Sequence, residues 1–72
     1  MTNQEKVELM EEIMDMEPGT LHLEDVLAEF EEWDSLAALT YITTLDEKFH
    51  KSVEGSQIKA FVTVEDAVNF ME

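Results

Sequence analysis

Ser35 is the side chain around which chemistry would be sought in this sequence. Four carboxylates, Glu29, Glu31, Glu32 and Asp34, fall in the six residues before it, and Leu36, Ala37, Ala38 and Leu39 follow it. A serine that attacks as a nucleophile inside its own protein needs a base for its proton and donors for the oxyanion. The chain has two histidines, His22 and His50, neither at a spacing that pairs it with Ser35, and it has no Gly-x-Ser-x-Gly turn. Catalysis by the chain's own Ser35 is therefore disfavoured, and both histidines read as surface residues.

Other chemistry is thinly represented. The Asp-x-[Asp/Asn]-x-[Asp/Asn]-Gly loop with its terminal glutamate is missing, so no dedicated calcium site is expected, although an acidic face can gather cations loosely. The five methionines raise the idea of an adaptable peptide groove, but Met10 and Met14 fall on an apolar helical stripe and read as core. Trp33 precedes the candidate cap Asp34 and reads as a packing residue at the base of the following helix, facing Ala38; an exposed partner anchor is the alternative.

The elements that must position Ser35 are helical. Thr2 and Glu5 fit a capping box ahead of Val7, Met10, Ile13 and Met14, which predicts a helix over 3–16, stopped by Pro18-Gly19, with Glu5, Glu8, Glu11, Glu12 and Asp15 outward. Residues 20–33 show no clear start or stop and read as a long connection holding a short helix. Asp34 is a good N-cap, and Ala38, Ile42, Leu45 and Phe49 then share a face, flanked by Leu39 and Tyr41, which predicts a helix over 35–50. Gly55-Ser56 opens a short turn of helix, and Thr63 with Asp66 caps a last helix carrying Val64, Ala67, Val68 and Met71. The fold class expected is all-α, a small four-helix bundle of three longer helices and one short helix. At a helix N-terminus the backbone tolerates a phosphate ester on Ser35, because free N–H groups and the helix dipole favour negative charge there; neighbouring carboxylates oppose it.

Eighteen acids against four lysines give a net charge of −14, a field that repels phosphate backbones and anionic lipid. Nucleic acid and membrane insertion are therefore not expected. Twelve of the acids and one lysine lie in residues 1–34, so the first half presents one sign of charge and favours basic partners. Like charge also points to a monomer. No cysteine is present, which removes disulfides and thiolate metal sites and leaves a reducing cytoplasm as the default. The start, MTNQEKVELM, has no basic flank before an apolar core, and the chain reads as soluble and unprocessed. At 44% hydrophobic residues, periodically placed, it has the material for a core.

At "DSLAALTYITTLDEKF" the chain resembles the acyl carrier protein family, with its peptidyl and aminoacyl carriers. Beyond the Asp-Ser-Leu, Phe49 follows Asp46 and Glu47 where that family places an aromatic after acids, and "TVEDAVNFME" looks like its last helix. The resemblance implies that 1–72 is a single carrier domain, a non-catalytic protein in which Ser35 takes a 4′-phosphopantetheine arm from coenzyme A. A phosphopantetheinyl transferase with Mg²⁺ would attach it, recognising Asp34 and Leu36. The arm's thiol would then hold an acyl or aminoacyl group as a thioester for partners: an acyl or aminoacyl ligase, and acyltransferase or condensing enzymes. An acyl-chain pocket is expected from Leu36, Leu39, Ile42, Ile58 and Phe61, with Tyr41 and Trp33 limiting its space.

The sequence departs from the fatty-acid-synthesis carriers in places. Glu32 and Trp33 stand where a glycine is common, Ala37 and Thr40 where acids are common, and Lys59 lies on an often acidic third helix. Docking is therefore expected to lean on Leu36, Ala37, Thr40 and Thr43, with partners also reading Glu31 and Glu32, in a specialised stand-alone carrier. The rival from another class is an acidic helical binding protein, a nucleic-acid mimic or inhibitor of a basic partner, which gives Ser35 no role. Because the charge is so one-sided, moderate salt or a divalent cation should raise the melting temperature; a melting temperature flat in salt would contradict that self-repulsion.

Overall fold

The computed structural model describes residues 1–71. Four α-helices follow in chain order, α1 (Asn3–Ile13), α2 (Ser35–Phe49), α3 (Gly55–Lys59) and α4 (Val64–Phe70), with a single 3₁₀ turn at Leu27–Glu29 in the long first connection. They form the small helical bundle expected, α1 packing against both α2 and α4. No helix of the described residues is long and apolar enough to cross a membrane.

α1 begins where the capping box predicts. Thr2 Oγ1 accepts from the Glu5 amide at 3.1 Å and Glu5 Oε1 accepts from the Thr2 amide at 2.9 Å. Those Thr2 bonds, the backbone one foremost, hold the Glu5 carboxyl below its ordinary range. The helix ends earlier than the sequence reading placed it. Asp15 takes a left-handed φ of 56°, its amide bonds back to Glu12 O and the Met16 amide to Glu11 O, closing the helix in a Schellman arrangement before Pro18 is reached. An aspartate stands where glycine is the usual choice, a position its short polar side chain tolerates.

The acid assigned to the outer face at position 11 is in fact inside. Glu11 is 3% exposed, and its Oε2 accepts from the Gly19 amide at 2.9 Å and the Leu21 amide at 3.0 Å. The carboxylate so fixes the Pro18–Gly19 turn against α1 and lets Leu21 enter the core. Burial of a charge is tolerated only with such donors.

Farther along, the connection has a three-residue rhythm that helical spacing hides. The amides of Glu29, Phe30 and Trp33 bond to Val26 O, Leu27 O and Phe30 O, each three residues back. Leu27, Phe30 and Trp33 therefore repeat on one side and pack on the core, while Glu29, Glu31 and Glu32 face water. Antiparallel pairing of Val26 with Thr63 anchors the segment: the Leu27 amide reaches Val62 O, and the Val64 and Glu65 amides reach Asp25 O and Leu23 O. Two orphan donors of the α4 N-terminus are met in this way. A third goes to Thr63 Oγ1, and Asp66 Oδ2 accepts from the Val62 and Thr63 amides in return. Those two donors, Val62 first, hold the Asp66 carboxyl below its usual range.

The buried face of α2 is one position out of phase with the expected stripe. Ala37, Tyr41 and Leu45 are buried, Ala38, Ile42 and Phe49 are half-buried, and Leu39 is exposed. Tyr41 has no exposed surface, and its hydroxyl donates to Ala67 O at 2.8 Å. Desolvation pushes its phenol well above the normal tyrosine range. The Ala67 carbonyl lies in the last turn of α4, where no helical amide answers it, so the tyrosine fills a vacant acceptor. Lys51 does the same for Phe70 O and lies 4.5 Å over the Phe70 ring.

Replacing Glu11 by alanine should cost about 2 kcal/mol, the worth of a charge-assisted bond with a buried amide left unmet, or roughly 10 °C in melting temperature. Better helix propensity and one charge fewer both oppose the loss. A melting curve followed by circular dichroism checks it, and an unchanged Glu11→Ala midpoint would refute the role given to this carboxylate.

Candidate functional site: the first turn of α2

Asp34 is the N-cap in extended conformation, and its Oδ1 accepts from the Ala37 amide at 2.9 Å. Ser35 follows as the first helical residue and is exposed. Among the described residues nothing hydrogen-bonds its hydroxyl, and the Ser35 and Leu36 amides likewise have no partner. An outward hydroxyl thus stands beside two free backbone donors at the positive end of a 15-residue helix.

Below this turn Trp33 is half-buried, its ring edge-on to Tyr41 with centroids 6.0 Å apart. The packing reading of Trp33 holds, with Tyr41 as the ring it meets. Beside the turn, a half-open groove of about 450 Å³ separates the end of α1 from the start of α2, with Ile13, Met14, Leu36 and Ala37 in its lining and Glu12, Asp15, Glu32 and Asp34 among its acids.

Neither histidine serves Ser35. His50 caps the far end of α2, roughly 22 Å away at the rise of an α-helix. His22 is exposed and its ring nitrogen lies 3.5 Å from Asp25 Oδ2. Among the described residues no group of three or more His, Cys, Asp or Glu side chains is placed to hold a metal ion.

The remaining sequence-derived positions divide. Glu31, Glu32, Thr40 and Thr43 are exposed. The Thr40 and Thr43 hydroxyls donate back to Leu36 O and Leu39 O, which leaves the threonine methyls as the available contact surface. Ala37, expected on the docking face, is 4% exposed and belongs to the core, so it is withdrawn from that surface. Of the expected pocket residues, Ile58 is buried and Ile42 and Phe61 are half-buried, but Leu36 and Leu39 stand outside at 71% and 59% exposure. Those two leucines do not line an interior space; with Thr40 and Thr43 they follow positions i, i+3, i+4 and i+7 along one outer face.

A curated relative is the acyl carrier protein of Kocuria rhizophila, 32% identical over 65 residues, which is 90% of this chain and 80% of that protein. The chain belongs to the acyl carrier protein family. No protein-family model matches it, and no solved structure matches it significantly. The similarity to an acyl carrier protein runs through nearly the whole chain, well beyond the Asp34-Ser35-Leu36 tripeptide. Both the helical bundle and the helix-opening aspartate–serine pair agree with the membership that sequence resemblance had implied.

Tyr41 and Glu11 are the structural residues of this acyl carrier protein that sequence reasoning placed wrongly or at the margin. The spacing of Ala37, Tyr41 and Leu45, four and four, was a usable signal for the first; nothing local marks the second. For the cap, Asp34→Ala should lose about 1 kcal/mol of stability whereas Asp34→Asn should lose almost none, since asparagine caps as well as aspartate. Urea midpoints of the two variants check this, and equal losses would show that charge rather than capping matters at position 34.

Proposed function

We propose that this acyl carrier protein bears a 4′-phosphopantetheine arm on Ser35 and carries an acyl or aminoacyl group on it as a thioester. The observation that carries this reading is the exposed Ser35 hydroxyl, unbonded among the described residues, directly after an aspartate cap. The local residues suit such a group: a phosphodiester esterified here would lie near the free Ser35 and Leu36 amides, with the helix dipole contributing about 0.3–1 kcal/mol. Glu31, Glu32 and Asp34 oppose that charge, but all are exposed and screened.

Ser35 is then a substrate for another enzyme. Its oxygen forms a bond to the phosphorus that bears pantetheine, the pyrophosphate link of coenzyme A breaks, the adenosine bisphosphate departs, and the serine proton passes to a base of the phosphopantetheinyl transferase working with Mg²⁺. When bound, the arm supplies a thiol that holds cargo as a thioester. Base and metal come from that enzyme, and this chain acts as a non-catalytic carrier domain spanning 1–72, in the cytoplasm. Asp34 and Leu36 are the recognition residues, one charged and one apolar on the same exposed turn.

Loading and consuming partners, a ligase and acyltransferase or condensing enzymes, dock on the outer face of α2. Leu36 is the apolar anchor there, with Thr40, Thr43 and Leu39 beside it and Glu31 and Glu32 steering a basic rim. The face of α2 has few acids, which separates this carrier from those of fatty acid synthesis and supports a specialised role. An acidic binding protein would exploit the charge but leave the capped serine without a purpose.

Incubation with coenzyme A, Mg²⁺ and a promiscuous phosphopantetheinyl transferase should add the mass of one arm to the wild-type chain, read by intact mass spectrometry. Ser35→Ala should gain none. An unmodified wild type, or a modified Ser35→Ala, rejects the assignment.

A further inference from the structure

The space inside the bundle behind Ser35 is occupied by aromatic rings. Tyr41 lies six residues beyond Ser35 on the same helix, about 9 Å along its axis, and it is the largest fully buried side chain. Trp33 from the connection meets it edge-on at 6.0 Å, Phe61 from the α3–α4 link meets it at 5.6 Å, and Phe70 of α4 meets Phe61 at 5.6 Å. Four rings from four segments thus form one edge-to-face row across the bundle. Edge-to-face pairs of this kind add to the apolar burial of each ring.

We infer that this carrier keeps its cargo outside the bundle, and that the cargo is a short acyl or aminoacyl group rather than a long alkyl chain. The inference rests on the carrier reading of Ser35 and adds the class of substrate to it.

A long chain gains from a carrier by entering apolar space between the helices. Here that route runs into the Tyr41 ring. Moving the ring would separate it from Trp33 and Phe61, and it would pull the hydroxyl from Ala67 O. Both partners of that bond would then lie unmet in an apolar interior, an outcome more costly than never forming the bond. Ala37, which offers the least side-chain volume on the inner face of α2 near Ser35, is itself 4% exposed and already packed. The apolar groups nearest the attachment point that remain available, Leu36 and Leu39, face solvent, and in the half-open groove between α1 and α2 the other apolar side chains, Ile13, Met14 and Ala37, are buried while Glu12, Asp15, Glu32 and Asp34 stand around them. A group of a few carbons loses little by staying there, and an aminoacyl group keeps its ammonium hydrated.

The test loads the arm-bearing protein with acetyl, glycyl and octanoyl groups and follows two readouts. One is the rate at which hydroxylamine cleaves each thioester; the other is the set of backbone amide shifts of Tyr41, Phe61 and Val68, with hydrolysis-resistant amide analogues of the three arms. Each thioester should be cleaved within about twofold of the rate of the same acyl or aminoacyl thioester on free coenzyme A, and the core amides should stay at their unloaded positions, as expected when the sheltered state is a minor population. Octanoyl protection of about tenfold or more, the mark of a largely sheltered state, or octanoyl-specific shifts at those core amides, would overturn the inference. Tyr41→Leu removes the ring and should create octanoyl protection absent from the wild type. Should that variant fail to fold, Tyr41→Phe, which keeps the ring and drops the hydroxyl, should still leave octanoyl unprotected; protection in it would mean that the row of rings is no barrier. Failure to gain the arm at all overturns the carrier reading and this inference with it, whereas loading followed by octanoyl shelter overturns this inference alone.

Discussion

One buried tyrosine joins the helix that displays the serine to the helix that closes the chain. Tyr41 has no exposed surface, its hydroxyl occupies an α4 carbonyl that the helix cannot satisfy, and its ring is flanked by Trp33 and Phe61. The bond fixes the depth of α2 against α4, because a hydrogen bond made inside an apolar core tolerates little displacement. Once that depth and rotation are set, Ala37 and Leu45 must lie inward and Leu36, Leu39, Thr40 and Thr43 outward. The identity of the outer face therefore follows from a contact on the inner one.

A chain this small has little apolar surface to spare, and its strongly negative charge works against compaction. The structure offsets this by leaving few backbone groups unanswered. Glu11 collects two amides of the Pro18–Gly19 turn, the 23–27 segment meets the α4 N-terminus, and Lys51 meets the Phe70 carbonyl at the end of α4. Among the described carboxylates, the one that is buried has specific donors, and those that carry the repulsion remain in water where it is screened.

Presentation of Ser35 follows from the same economy. The cap bond from Asp34 and the three-residue rhythm of Leu27, Phe30 and Trp33 bring the connection to the helix in a fixed orientation, with rings below and hydroxyl above. Membership in the acyl carrier protein family gives that exposed hydroxyl a context that the isolated geometry lacks. The filled interior in turn bears on what such a carrier can shelter, since the same rings that hold the bundle together occupy the space a long chain would seek.

The sequence by itself determined the helix starts and the position of the serine. Capping boxes at Thr2 and Thr63 and the Asp34 cap are local bonds between residues three or four apart, so they can be read without knowing the fold. Rotation and depth were decided only in three dimensions. Two overlapping stripes on α2, one through Ala38, Ile42, Leu45 and Phe49 and one through Ala37, Tyr41 and Leu45, satisfy helical spacing equally well; the choice fell to Tyr41 because α4 offered it an acceptor 26 residues away. Glu11 went inside because amides eight and ten residues farther on turned toward it, and α1 ended early because Asp15 could take the left-handed conformation. Spacing along a chain carries no record of such distant partners, and the exposure of Leu36 and Leu39 and the burial of Ala37 are their consequences.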